Sequence, residues 1–141
     1  MPERSSQATW EGDLQSGRGN MKIGSGAWEG AYSFKSRFEE GTGTNPEELI
    51  AAAHAGCYSM ALSGALTKAN HTPDRVDTVA KVLLEKAEGG FRISQIQLET
   101  KAAVPGIDDA KFQEIAEQAK QNCPVSKVLS GAEISLDARL T

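Results

Sequence analysis

The stretch from Leu49 to Leu66 constrains the fold of this chain most. It contains no charged side chain and is built largely of Ala, Leu and Gly. Its start is well marked: Asn45 suits an N-cap, Pro46 the first helical position, and Glu48 can close a capping box from the third. A helix that is apolar nearly all round must be covered on most sides. Its length approaches that of a membrane span. However, His54, Ser59 and Ser63 interrupt it, and small residues supply much of its bulk, so a buried helix of a soluble domain is the better reading. Alanine and glycine also let a second helix come close. A chain of 141 residues is short to wrap such a helix alone, which leads to the expectation of a homodimer.

The remaining elements fit one domain over residues 1–141, with residues 1–6 as a loose tail. At this size about 70% of the unfolded surface can be buried, so the core needs no disulfide or metal staple. The N-terminus has no apolar signal segment, and a cytoplasmic location is expected, where a persistent disulfide is unusual. The charge balance, 15 − 19 = −4, comes with scattered lysines and arginines, which argues against nucleic acid as a partner. Ala8–Glu11 and Ala31–Phe38 alternate like strands around Gly-rich turns, indicating an N-terminal β-meander, and Phe38–Asn45 reads as a loop. Val76–Lys86 and Phe91–Val104 flank the hairpin chemistry of Ala87-Glu-Gly-Gly90, with a bulge where the apolar phase slips between Ile93 and Ile96. Asp108 or Asp109 caps an amphipathic helix carrying Phe112, Ile115, Ala116 and Ala119. Pro124 starts a short helical stretch, and Ile134 to Leu140 alternate as a closing strand. This order predicts an α+β fold.

The residues that could carry chemistry begin with two cysteines, Cys57 and Cys123, 66 positions apart. Cys57 reads as a small core residue or as a nucleophilic thiol. A reactive thiol needs positive charge nearby, and no basic residue occurs between Arg37 and Lys68. Cys123 stands before Pro124 at a helix junction, where it is either a packed thiol or an N-cap thiolate. His54, Cys57, His71 and Cys123 add up to a set that fits zinc in number but not in spacing. No metal or other cofactor is expected. His71 is most simply a helix-terminal residue. Arg18, among small residues, is a surface arginine or a deliverable guanidinium. Glu48 is explained by the helix dipole; Glu47 could also accept a bidentate bond from an arginine.

Gly41-Thr-Gly-Thr-Asn-Pro-Glu47-Glu-Leu-Ile-Ala-Ala-Ala-His-Ala-Gly-Cys57-Tyr-Ser-Met-Ala-Leu62, together with Gln121-Asn-Cys123-Pro-Val-Ser126, resembles the OsmC branch of the OsmC/Ohr family. Thr9-Trp10-Glu11-Gly12, Gly17-Arg18-Gly19 and Val104-Pro-Gly-Ile107 extend the resemblance over nearly the whole chain. It implies an OsmC-like fold of antiparallel sheets around a long buried central helix, in an intertwined homodimer with sites at the subunit interface. It further implies a thiol-dependent peroxidase that reduces organic hydroperoxides. In that reading Cys57 is the peroxidatic cysteine and Cys123 resolves it as a disulfide. Arg18 and Glu47 activate the thiol, and a lipoyl-type dithiol restores the enzyme. Glu47 and Cys57 stand on the order of 15 Å apart along a continuous helix, so a site composed across the dimer is expected. Two other classes remain: a non-catalytic or redox-sensing module, and a zinc-stabilised domain.

Overall fold

Six strands and four helices follow one another through residues 1–141 in the computed structural model. They are β1 (Ser6–Glu11), β2 (Arg18–Ile23), β3 (Glu29–Tyr32), α1 (Phe34–Phe38), α2 (Pro46–Lys68), β4 (Arg75–Ala87), β5 (Gly90–Ala103), α3 (Asp109–Asn122), α4 (Pro124–Val128) and β6 (Glu133–Leu140). The mixed α+β class is as expected. The chain packs as two compact units, Met1–Leu49 and Ile50–Thr141.

In the first unit β1, β2 and β3 form an antiparallel meander. Gly19 sits where Trp10 and Tyr32 converge, their ring centroids 5.4 Å apart. A Cβ there would stand 2.5 Å from Tyr32 Cε1 and 2.7 Å from Trp10 Cε3, so only glycine lets the two rings close over the strand. The alternation read through Phe38 stops earlier, at Tyr32. Ser33 accepts the Ser36 N–H through its hydroxyl, Ser36 returns a bond to the Ser33 N–H, and this capping box starts α1. The Ser36 hydroxyl also donates to the Thr44 carbonyl, at 2.7 Å, and Asn45 Nδ2 donates to the Ser36 carbonyl, at 2.9 Å. The loop before α2 is therefore anchored at both ends. Asn45 caps α2 as expected, accepting the Glu48 N–H at 2.8 Å. Glu48 does not complete the box; its carboxylate takes the Thr44 hydroxyl instead.

The second unit is a three-stranded sheet, in the order β4-β5-β6, with helices packed on it. β4 and β5 form the hairpin, turning through Glu88 and Gly89, where Gly89 takes a φ of +85° that favours glycine. The bulge falls where the phase slip indicated: Leu83 pairs with Gln95 and Leu84 with Ile93, leaving Ser94 as the extra residue. The expectation of purely antiparallel sheets needs correction, because β6 runs parallel to β5. The helical crossover of α3 and α4 carries the chain back to the same end of the sheet before β6 begins. Leu98 and Ala102 of β5 share one core with Tyr58, Leu62 and Leu66 of α2 and Phe112, Ile115, Ala116 and Ala119 of α3, and Ile96 and Thr100 of the same strand are also buried. Phe112→Ala is expected to lower stability by about 3–5 kcal/mol, because it empties a fully buried ring site. Urea unfolding followed by far-UV circular dichroism measures this.

Within the chain α2 is covered on one side only. His54, Tyr58, Leu62 and Leu66 form its buried line, at i, i+4 spacing, while Ala52, Ala53, Gly56 and Gly64 are exposed and Met60 is 78% exposed. The helix is also long and apolar enough, by length and composition, to cross a membrane. Its buried line carries hydrogen-bonding side chains with partners in the fold, which is the pattern of a packed helix.

Candidate functional site

Tertiary packing brings the two cysteines together. Cys57 projects from the middle of α2 and is half-buried; Cys123 is fully buried at the junction of α3 and α4. Their sulfurs lie 3.1 Å apart, both as free thiols. Alanines make this approach possible: Ala116 and Ala119 of α3 share one cluster with Cys57, Tyr58 and Ala61 of α2. Tyr58 adds a bond between the same helices, its hydroxyl donating to the Ala116 carbonyl at 3.0 Å. Pro124 then fixes the corner. It cannot donate a helical hydrogen bond and takes the first position of α4, so Cys123 becomes the N-cap residue. The Cys123 N–H still donates to the Ala119 carbonyl, closing α3. A second link joins α2 to α4, with His54 Nε2 2.7 Å from Ser126 Oγ.

The two thiols are held in different electrostatic states. Burial pushes the Cys57 thiol up, and its hydrogen bond with Cys123 adds to this, against a smaller opposing effect of the Val125 N–H. Burial also works against the Cys123 thiolate, but hydrogen bonds from Cys57, from the Ser126 N–H and hydroxyl and from the Val125 N–H outweigh it, and its pKa falls below the ordinary thiol value. No N-cap bond closes onto the Cys123 sulfur, so the groups of α4 act on it as oriented dipoles. The two thiols act on each other's proton, and of the two it is Cys123 whose thiolate the surroundings favour. Among the groups of its own unit that act on Cys57, none is a cation.

Arg18 and Glu47 both belong to the first unit, and the fold does not pair them there. Arg18 lies at the exposed start of β2, its Nη2 3.5 Å from Glu11 Oε2, with its side chain 82% exposed. Glu47 is buried and holds Arg37 instead. Arg37 Nε donates to both carboxylate oxygens, at 3.1 and 3.3 Å, and Nη2 donates to Oε1 at 2.8 Å. This fork geometry is the strong form of the pair. The guanidinium carbon also lies 5.2 Å from the centre of the Phe38 ring. Arg37 lines a cavity of about 220 Å³ with Trp10, Leu14, Tyr32, Phe34 and Phe38, an aromatic pocket with one cation on its wall.

Arg37 was visible in the sequence only as the last cation before the apolar helix. Its pairing depends on α1, a helix that the alternation of residues 31–38 concealed. Ser126 stood in the Cys-Pro-Val-Ser run without a role, and His54 entered as an interruption of the apolar helix and as a possible metal ligand. His54 Nε2 is engaged by Ser126, and no three His, Cys, Asp or Glu side chains are arranged to hold a metal ion. His71 is helix-terminal as expected. Its N–H donates to the Leu66 carbonyl past Asn70, whose φ of 66° closes α2 in the left-handed region.

Residues 39–138 match a family described as OsmC-like protein. Peroxiredoxin OsmC of Escherichia coli (strain K12) is 52% identical over 135 residues, covering 95% of this chain and 94% of that protein. An organic hydroperoxide resistance protein of Xanthomonas axonopodis pv. citri is 35% identical over 102 residues, covering 72% of this chain and 68% of that one. Among solved structures, the organic hydroperoxide resistance protein OhrB of Bacillus subtilis superposes with a TM-score of 0.73 at 27% identity, covering 97% of this chain and 98% of that one.

Proposed function

The chain belongs to the OsmC-like protein family, and on that footing we propose that Cys57 attacks an organic hydroperoxide and Cys123 resolves the product. The activity is that of a thiol-dependent peroxidase. Its substrate class follows from the names of its relatives and from the aromatic pocket beside Arg37, which suits an alkyl or acyl chain better than hydrogen peroxide. The observation that carries the assignment of the thiols is the 3.1 Å approach of Cys57 to Cys123. A disulfide needs its sulfurs at about 2.05 Å, so only a small movement separates the reduced pair from the bonded one.

The steps balance without a cofactor. The Cys57 thiolate attacks one peroxide oxygen, the O–O bond breaks, and the alkoxide leaves and takes a proton to become an alcohol. Cys57 is left as a sulfenic acid. The Cys123 sulfur displaces hydroxide from it, forming the disulfide, and the proton lost by Cys123 completes a water. An external dithiol then reduces the disulfide by exchange, and a lipoyl-type dithiol is the proposed reductant. Such a cycle suits a reducing cytoplasm.

A cation is still required, because burial opposes the Cys57 thiolate. We assign that role to an arginine held by Glu47, supplied across a homodimer. In this fold Glu47 commits both oxygens to Arg37, so Arg37 is proposed for the part that the family resemblance implies for Arg18. The exposed face of α2, with Ala52, Gly56, Met60 and Gly64, supports the dimer: small residues permit close helix approach, and Met60 is left open to a second copy.

Rapid mixing of the reduced protein with tert-butyl, fatty-acid and hydrogen peroxides, with free thiols counted afterwards, tests the proposal. One hydroperoxide consumed should remove both thiols of a chain, and organic substrates should react at least about tenfold faster than hydrogen peroxide. Hydroperoxide that leaves both thiols intact would rule out the activity.

A further inference from the structure

Capping α2 accounts for only half of the Asn45 side chain. A cap needs a single acceptor, and aspartate or serine supplies one as well as asparagine does. The amide of Asn45 uses both ends: Oδ1 accepts the Glu48 N–H at 2.8 Å, and Nδ2 donates to the Ser36 carbonyl at 2.9 Å. One end faces a donor and the other an acceptor, so the amide fits in one orientation. The second bond meets a need of α1. That helix stops at Phe38, where Glu39 turns extended, and the Ser36 carbonyl is among its last carbonyls, which lack a helical donor. Ser36 is buried, so this carbonyl has to find its partner within the protein, and Asn45 provides it.

The bond lies beside the ion pair at both of its ends. Arg37 follows Ser36 directly, and Glu47 comes two places after Asn45. The Ser36 hydroxyl adds a second link by donating to the Thr44 carbonyl at 2.7 Å. With five residues, α1 is too short to hold its place by its own hydrogen bonds. These two links therefore set where the Arg37 side chain begins. Its fork tolerates little displacement: Nε and Nη2 converge on one carboxylate through contacts of 2.8, 3.1 and 3.3 Å. A shift of α1 by about 1 Å is enough to spoil such a geometry.

We propose that Asn45 is a positioning residue of the peroxidase site, a clamp whose one amide caps the helix carrying Glu47 and holds the helix carrying Arg37. The proposal rests on the reading of Arg37 as the activating cation. Asn45 acts on the reaction only through α1 and Arg37. The clamp also explains why this position is asparagine, since the cap by itself does not select it over aspartate or serine.

Three variants separate the clamp from the cap. Asn45→Asp keeps the shape and the cap but replaces the donor with an acceptor. Asn45→Ser keeps the cap without adding charge, and its oxygen falls one bond short of Nδ2. Asn45→Ala loses both functions. The fork is read first without peroxide, as the exchange of the Arg37 Nε–H with water, followed by nuclear magnetic resonance in mildly acidic buffer. Exchange is expected to rise about tenfold in all three variants, while Asn45→Asp and Asn45→Ser lose less thermal stability than Asn45→Ala. Sulfenic acid formation on Cys57 should slow about tenfold in Asn45→Asp and Asn45→Ser, and Asn45→Asp added to Arg37→Met should slow it no further, because the two changes act through one group. Wild-type exchange in both Asn45→Asp and Asn45→Ser overturns the clamp, as does a further tenfold loss of rate in the double variant. If exchange rises and sulfenic acid forms at the wild-type rate, the clamp on Arg37 stands and the reading of Arg37 as the activating cation falls.

Discussion

Cys57→Ser is expected to abolish hydroperoxide consumption, while Cys123→Ser consumes about one equivalent per chain and then stalls. A serine hydroxyl ionises too weakly to attack a peroxide oxygen, so the first variant loses the nucleophile itself. The second keeps it, but the sulfenic acid formed on Cys57 loses the neighbour that stood 3.1 Å away. With nothing to condense with, Cys57 should advance to the sulfinic acid when peroxide is in excess, which intact-mass spectrometry detects as two added oxygens. The two variants thus separate attack from resolution. Full turnover by Cys57→Ser with a dithiol present would exclude Cys57 as the attacking group. Two oxygens appearing on Cys123 instead would exchange the two roles.

The second large effect concerns the arginine. Arg37→Met and Glu47→Gln are each expected to slow sulfenic acid formation by about a hundredfold or more, since each removes the held guanidinium that favours thiolate and departing oxygen. Arg18→Met serves as the comparison. Its ion pair with Glu11 is exposed on both sides and of the kind that contributes little. If Arg18→Met shows the loss and Arg37→Met does not, the part returns to Arg18. Subunit mixing checks whether the site is composed across the dimer. Alone, Glu47→Gln chains are expected to be slow and Cys57→Ser chains inactive. Allowed to exchange, they should recover about one quarter of the wild-type rate, because about half the dimers are mixed and each mixed dimer has one intact site. No recovery after demonstrated exchange would place arginine, glutamate and cysteine on one chain.

Local features of the chain were readable where they obey local rules. The cap at Asn45, the hairpin at Glu88 and Gly89, the bulge at Ser94 and the start of α3 at Asp108 each depend on a few neighbouring residues. The stop at Tyr32 was missed because Ala31–Phe38 alternates like a strand. Only the reciprocal bonds of Ser33 and Ser36 turn its second half into α1. The parallel direction of β6 was hidden for a different reason. An alternating strand looks the same in either orientation, and the path of α3 and α4 decides which one forms.

The site divides along the same line. Residue types left Cys57 and Cys123 open between packed and reactive thiols and explained Glu47 by the helix dipole or an arginine; only the family resemblance singled out all three as site residues. The resemblance implied that Cys57 meets Cys123, but the choice of Arg37 by Glu47 and of Ser126 by His54 was beyond the sequence. Glu47 with Arg37, Cys57 with Cys123 and His54 with Ser126 are contacts across 10, 66 and 72 positions. Sequence separation carries no distance once the chain has folded. Which donor reaches which acceptor is settled by the packing of α1, α2, α3 and α4, and only there do two thiols of the same kind acquire different affinities for a proton.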